Sequence, residues 1–207
     1  MTWLNKMWSV ERELTRDVIA LGSELSIIEM IMSGTTAFID MYHYPDVTAD
    51  VALKYGLRAA LGPTFIDTLR KPSCVENELR NFVSKYGGSS LIRPIINVHS
   101  IYAVDKDTLL RVRGLSNELN LPIQVHVSET RDEVYESKRR YGMFPVEYLN
   151  SLGLVSSKSQ LIHLGWVTNW ELGIIARVNA RVTHAPTSNM KLATAGHFPM
   201  RELMDMG

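Results

Sequence analysis

Residues 122–134, PIQVHVSETRDEV, contain the pattern of a strand followed directly by the start of a helix. Its first half alternates between apolar and polar side chains, which predicts a β-strand. One face of this strand carries isoleucine and valine, whereas the other carries an amide, the imidazole of His126 and a hydroxyl. Thr130 followed by Glu133 has the spacing of a helix capping box. We therefore expect a strand that leads directly into a helix, with polar groups on its second face.

The same alternation of strand and helix extends along the rest of the chain. The six predicted strands are 36–41, 58–64, 92–98, 122–128, 160–164 and 181–185. Every connection is long enough for a crossover, so the strands are expected to be parallel. Such a sheet is either doubly wound or closed as a (β/α)8 barrel. A Rossmann-type phosphate site has no support, because no G-x-G-x-x-G follows any strand.

Four of the six histidines occupy matching places at the carboxyl ends of four consecutive strands. They are His99, His126, His163 and His184. A (β/α)8 barrel carries its functional residues at this end of the strands. The predicted fold is therefore an α/β barrel of the (β/α)8 type. It is incomplete, because six strands are predicted where the barrel has eight, and we expect the first and last strands to be the missing ones. Residues 1–207 are expected to form a single catalytic-barrel fragment, corresponding to about strands 2 to 7.

Each of these polar residues also has a plain structural interpretation. A single histidine at a strand end is more often a core side chain bonded to a backbone carbonyl than a functional group. Glu129 also suits the first turn of a helix, where the dipole favours a carboxylate. As chemical groups, however, a neutral imidazole is the commonest metal ligand and a carboxylate beside it suits proton transfer. His43 and His197 lie in predicted loops and are assigned to solvent.

Composition excludes several classes of function. The chain is 45% hydrophobic and 21% charged with a formal net charge of +0, as in a soluble globular domain. A net charge of zero does not indicate the basic surface that nucleic-acid binding requires, and no apolar stretch is long enough to span a membrane. The single cysteine, Cys74, suits a reducing compartment, and the N-terminus lacks a signal-peptide pattern. We expect a cytoplasmic protein without nucleic-acid or membrane partners.

Several segments together resemble the amidohydrolase superfamily, most closely the methylthioadenosine/S-adenosylhomocysteine deaminases and the triazine chlorohydrolases. These segments are SGTTAFIDMYHYPD, VHSIY, HVSETRDEV, YGMFPVEYLNSLGLV, LIHLGWVT and THAPTSNMKLATAGHFPMRELMDMG. The resemblance implies a (β/α)8 barrel, usually with a small β-sandwich built from both chain ends, and one divalent metal, zinc or iron. It implies a metal-dependent hydrolase of C–N bonds in cyclic amidines, namely a hydrolytic deaminase of an adenosine-type substrate.

The same resemblance implies roles for five residues. His126 resembles the metal-binding histidine of the fifth strand, and Glu129 resembles the glutamate that contacts the substrate ring and shuttles a proton. His163 resembles the sixth-strand histidine that orients the attacking water or the bound ring. His99 resembles a histidine that touches the substrate. Glu11 resembles the substrate-contacting glutamate of a tryptophan-containing motif.

A further motif follows the last predicted strand. It comprises Thr183, His184, Ser188 and Asn189, and its family counterpart is expected mainly to structure the seventh loop.

The sequence departs from the family pattern at the metal site. Neither the H-x-H pair of the first strand nor the metal-binding aspartate of the eighth occurs in these 207 residues, and the flanking β-sandwich segments are absent as well. Zinc needs three or four protein ligands, so we expect the chain by itself to hold no metal tightly.

Two other functions stay open at this point. One is a chlorohydrolase or aminohydrolase of s-triazines. The other is an inactive barrel fragment that acts as a binding or oligomerising module. A small heteroaromatic substrate is the expected partner, and open sheet edges favour a homo-oligomer.

Overall fold

Strand and helix alternate along the chain, as its hydrophobic periodicity predicts. The computed structural model describes residues 2–194 and 196–207, with side chains from residue 6 onward except residues 8 and 195. The helices in this part are α1 Thr2–Glu11, α2 Arg16–Met32, α3 Pro45–Tyr55, α4 Pro72–Tyr86, α5 Lys106–Leu119, α6 Arg131–Tyr141, α7 Pro145–Ser151, α8 Asn169–Val178, α9 Pro186–Leu192 and α10 Met200–Asp205. The strands are β1 Ala37–Ile39, β2 Arg58–Leu61, β3 Thr64–Phe65, β4 Ile92–Pro94, β5 Ile96–Val98, β6 Ile123–Val127, β7 Ser159–His163 and β8 Arg181–Thr183.

Local capping chemistry sets several helix boundaries. The Thr15 hydroxyl accepts a hydrogen bond from the Val18 amide, 3.4 Å away, at the start of α2. The Thr130 hydroxyl accepts one from the Glu133 amide at 3.1 Å and starts α6. Gly56 ends α3 in the left-handed conformation, φ 74°, which glycine adopts without steric cost. The predicted start of a helix after Thr130 is confirmed.

Two of the six predicted strands are each divided into two segments. The strand predicted over 58–64 is seen as β2 and β3, and the one over 92–98 as β4 and β5. The first break falls at Gly62–Pro63 and the second directly after Pro94. Proline has no N–H to donate to a β-ladder and disfavours a continuous strand. The prediction of unbroken strands is therefore wrong at both places.

The chain forms two compact units, the first of which comprises Met1–Pro63 and Glu78–Pro94. Its three-stranded parallel sheet has the order β1-β2-β4. Apolar side chains of α2, α3, α4 and the strands form its core, and Ala49 and Ala52 in α3 are fully buried there. The other core residues are Ile27, Leu57, Ala59, Leu61, Phe82, Tyr86 and Ile92.

The second unit comprises Thr64–Asn77 and Ile95–Gly207 and contains the five-stranded parallel sheet β3-β5-β6-β7-β8. Val98 pairs with Val125, and Val127 pairs with His163. The carboxyl ends of β5, β6 and β7 consequently lie side by side. The predicted parallel α/β fold is confirmed.

Across residues 2–194 and 196–207, no helix combines the length and the apolar character needed to cross a membrane.

Candidate active site

Three imidazoles meet at the carboxyl end of the five-stranded sheet. Nδ1 of His126 lies 3.1 Å from Nε2 of His163. The ring centroids of His99 and His126 are 5.6 Å apart. The register explains this grouping, because His99 directly follows β5, His126 lies near the end of β6, and His163 ends β7. The prediction that these three histidines point to a common end is confirmed.

The backbone at His163 adopts an uncommon conformation. His163 and Leu164 have φ values of 81° and 47°, both in the left-handed region that favours glycine. Such residues cost on the order of 1–3 kcal/mol each and cluster at functional sites. The imidazole of His163 is buried, and its Nδ1 lies 2.8 Å from Oδ1 of Asn189 in α9. An amide oxygen accepts from an imidazole N–H, which leaves Nε2 of His163 directed at His126.

The surroundings of His126 keep its imidazole neutral. Burial, together with the neighbouring imidazoles of His99 and His163, lowers the pKa of His126 to about 3. A neutral imidazole is the form that binds metals. The electrostatics of the site therefore agree with the role that the sequence predicts for His126.

The carboxylate of Glu129 lies beside the histidines, where β6 gives way to α6. Its Oε1 is 3.7 Å from Nε2 of His163. This distance is too long for a direct hydrogen bond but suits a group that shares a ligand or a water molecule with the imidazole. Glu129 and His163, the two predicted catalytic residues, are therefore neighbours.

His99 completes the cluster on the β5 side. Its Nδ1 lies 3.1 Å from the Ser100 hydroxyl, and its ring meets the edge of the Tyr102 ring at a centroid distance of 5.8 Å. Burial raises the pKa of Tyr102, so the phenol stays neutral at physiological pH. The contacts with Ser100 and Tyr102 orient the His99 ring next to His126.

Sequence reasoning missed Glu133 as part of the site. Its carboxylate is buried and accepts hydrogen bonds from the amides of Ser128 and Glu129, both at 2.9 Å. A capping box would instead direct this carboxylate to the amide of the N-cap residue, Thr130. Burial raises the pKa of Glu133 to about 7, although the two amide hydrogen bonds oppose that rise. The capping spacing in the sequence identified the residue but not its partners.

Sequence reasoning also missed the contact of Asn189. The motif around it was expected to structure a loop, yet Asn189 is buried and touches His163 directly. The ring of His184, from the same motif, stacks on Phe198 with centroids 4.1 Å apart. His184 therefore supports the chain beyond α9, and Asn189 supports the imidazole.

Glu11 belongs to the first compact unit, where it ends α1. It accepts a hydrogen bond from the Tyr42 hydroxyl at 3.0 Å, and its Oε2 lies 3.4 Å from Nε2 of His43. His43 was assigned to solvent, which is wrong, since it is half-buried against Glu11. His197 is exposed, as predicted. The substrate contact expected of Glu11 stays a prediction.

A complete metal site is not present in the described part of the chain. Within residues 2–194 and 196–207, no group of three or more His, Cys, Asp or Glu side chains could hold a metal ion. Structural and catalytic zinc sites use three or four protein ligands. His126 has the chemistry of one such ligand, and the described residues do not supply the others.

The chain matches the amidohydrolase family over residues 1–207. The 5-methylthioadenosine/S-adenosylhomocysteine deaminase of Pyrococcus furiosus is 36% identical in an alignment of 212 positions that covers 99% of this chain and 50% of that protein. An adenosine deaminase from Xanthomonas campestris, solved with bound zinc, has a TM-score of 0.94 at 31% identity. The match covers 100% of this chain and 48% of the deaminase chain. A triazine hydrolase from Arthobacter aurescens has a TM-score of 0.90 at 18% identity, and the match covers 100% of this chain and 51% of the hydrolase chain. At this identity the similarity concerns the fold alone.

These likenesses agree with the parallel α/β fold. The chain spans about half the length of the curated relatives it matches, and its α/β fold is that of a partial (β/α)8 barrel. The match extends over the whole sequence rather than over one motif. The chain belongs to the amidohydrolase family.

Proposed function

We propose that this chain supplies the His126–Glu129–His163 part of the active site of a metal-dependent hydrolytic deaminase. The substrate class is an adenosine-type nucleoside, resembling methylthioadenosine or S-adenosylhomocysteine. The observation that carries the proposal is the cluster of these three side chains at the carboxyl end of a parallel sheet. The similarity to a deaminase of this class over 99% of the chain supports it.

His126 is the proposed metal ligand. Its low pKa keeps the ring neutral at physiological pH, and zinc is the metal bound in the similar Xanthomonas campestris deaminase. The described residues fit one position of a zinc site rather than a whole site.

Glu129 and His163 are the proposed catalytic residues. Glu129 donates a proton to a ring nitrogen of the substrate as the tetrahedral centre forms, a step suited to a partly enclosed carboxyl. His163 orients the attacking water or the ring through Nε2, because Nδ1 is engaged by Asn189. A well-placed group of this kind contributes on the order of 3 kcal/mol to the stabilisation of a transition state.

His99 and Glu11 are the proposed further contacts to the substrate. The His99 ring is adjacent to His126, which supports a place at the edge of the bound heterocycle. Glu11 lies with Tyr42 and His43, which together offer a carboxylate, a hydroxyl and an imidazole to a sugar or a ring nitrogen.

Location and assembly are also part of the proposal. We place the protein in the cytoplasm, which its composition and its one exposed free cysteine, Cys74, support. We propose a homo-oligomer, because apolar side chains of α2 are exposed. The triazine alternative has a likeness of fold behind it and no further observation.

The test is a chimera in which this chain replaces the matching half of the Pyrococcus furiosus deaminase. Ammonia release is measured with methylthioadenosine, S-adenosylhomocysteine and adenosine, and chloride release with a chlorinated triazine. The proposal predicts deamination of at least one nucleoside and one zinc ion per chain. A folded, zinc-loaded chimera that dechlorinates the triazine and leaves all three nucleosides intact would contradict it.

A further inference from the structure

Glu133 is a buried acidic side chain that the proposed chemistry does not use. It lies in the first turn of α6, four residues beyond Glu129, with 5% of its surface exposed. Burial of a carboxylate is unfavourable unless the group is well paired. Glu133 is paired with backbone amides, since Oε1 accepts from the Ser128 amide and Oε2 from the Glu129 amide, each at 2.9 Å.

The backbone that Glu133 holds is strained. Ser128 has a φ of 53°, in the left-handed region, and is fully buried. Its carbonyl accepts a hydrogen bond from the Trp166 amide at 3.0 Å, so the peptide is fixed from a second direction. A serine in this conformation persists when its surroundings over-determine it. The two amide hydrogen bonds to one carboxylate are such a constraint.

The consequence of this turn is the direction of the Glu129 side chain. The chain leaves β6 at Val127, bends at Ser128, and brings the Glu129 carboxylate to 3.7 Å from His163. An ordinary helix cap would need the Glu133 carboxylate at the amide of Thr130. Instead, the Glu133 carboxylate accepts hydrogen bonds from the amides of Ser128 and Glu129, the two residues before Thr130.

We propose that Glu133 is a positioning residue for Glu129, whose backbone it fixes so that the Glu129 carboxyl faces the reacting atoms. The catalytic consequence rests on the proposed function. The structural part does not, because it concerns two hydrogen bonds within this chain.

Glu133→Gln is the decisive variant, since it keeps the size of the side chain and removes one acceptor. A glutamine amide offers one oxygen to two N–H donors, so one of the two amides loses its partner. The matched control is Glu136→Gln on the same helix, which changes an exposed carboxylate paired with Arg139.

The first readout is amide hydrogen exchange in the 15N-labelled chain of 207 residues. Exchange at Ser128 or Glu129 is expected to accelerate at least tenfold in Glu133→Gln and to stay unchanged in Glu136→Gln. Equal acceleration of all amides in the first turn of α6 would overturn the proposal, because Glu133 would then be a helix cap. If Glu133→Gln does not fold, the wild-type chain decides by scalar coupling across the hydrogen bond between Glu133 Cδ and the Glu129 amide nitrogen. Absence of that coupling overturns the proposal.

The second readout uses the chimeric deaminase. We expect Glu133→Gln to lower kcat at least tenfold, with KM within threefold and zinc content unchanged. Accelerated exchange with an unchanged kcat would overturn the positioning role. If the chimera deaminates no nucleoside at all, the proposed function fails while the exchange and coupling data still decide whether Glu133 fixes the backbone of Glu129.

Discussion

The half-buried imidazole of His126 makes the folded protein sensitive to acid. Its pKa of about 3 lies below the ordinary value of 6.5, so the unfolded chain binds more protons between these two values. The stability that the neutral ring contributes is complete above about pH 6.5 and is lost as the pH falls toward 3. Glu133 has the opposite effect on the free energy of unfolding. Because its pKa is raised from 4.5 to about 7, the folded chain binds more protons between these values, and Glu133 contributes more stability as the pH falls.

A variant separates the two groups. From pH 7 to pH 5, wild type should lose about 2 kcal/mol of unfolding free energy relative to His126→Gln, at about 1.4 kcal/mol per pKa unit. Urea unfolding of both chains at the two pH values measures the difference. Parallel pH profiles for the two chains would mean that His126 titrates normally in the folded state.

Single residues were predicted from the sequence where strand periodicity fixes their direction. Alternation along β6 and the position of His163 at the end of β7 were sufficient to bring His126 and His163 together. The contact between Asn189 and His163 was out of reach, because it joins residues 26 positions apart through the path of a loop. The hydrogen-bond partners of Glu133 depend on the left-handed backbone conformation of Ser128, which the local sequence pattern does not predict.

At the scale of elements, the segments after β7 and α9 pack closely against each other. A Cβ added at Gly196 would lie 1.8 Å from the Gly165 carbonyl oxygen and 2.9 Å from Cδ2 of Trp166. The Trp166 indole also donates a hydrogen bond to the Thr194 carbonyl at 2.9 Å. Glycine at 196 is therefore required by the close approach of two backbones.

Gly196→Ala should destabilise the protein by about 1–3 kcal/mol, the usual range for forced overpacking. The control is Gly173→Ala in α8, where nothing lies within 4 Å of the added Cβ. That change should stabilise by up to about 1 kcal/mol, because alanine is the better helix former. Thermal unfolding of the three chains measures both effects. Equal stability of Gly196→Ala and wild type would show that the two segments separate readily.

The elements themselves were largely predictable, and the misses have visible causes. Helix starts and stops followed from Thr15, Thr130 and Gly56, each acting through its own backbone or hydroxyl. Two strands are divided next to prolines that the sequence displays, Pro63 and Pro94, because proline cannot donate a hydrogen bond to a β-ladder.

At the scale of the whole molecule, one face of α2 is apolar and exposed. Its side chains recur at spacings of three and four residues, which places them in one stripe along the helix. They are Val18, Leu21, Leu25, Ile28 and Met32, between 38% and 83% exposed. The strand β1 is an edge of its sheet, and Ile39 on it is exposed as well. Such surfaces favour association.

The chain by itself should therefore self-associate in a concentration-dependent way. Sedimentation velocity measures this, and a double change of Leu21→Glu and Leu25→Glu should shift the distribution toward monomer. Met190→Glu is the control, since Met190 is 72% exposed but lies outside the stripe. A compact monomer at all concentrations would contradict the expectation.

The central proposal is that His126 binds the metal and Glu129 donates a proton. The decisive measurement is zinc content together with ammonia release in the chimeric deaminase. Glu129→Gln should retain one zinc ion per chain and lose turnover by about a hundredfold or more, the scale expected for removal of a general acid. His126→Ala should lose the zinc as well, because it removes a ligand. Glu136→Gln should change neither quantity. Full turnover in Glu129→Gln, or stoichiometric zinc in His126→Ala, would contradict the account.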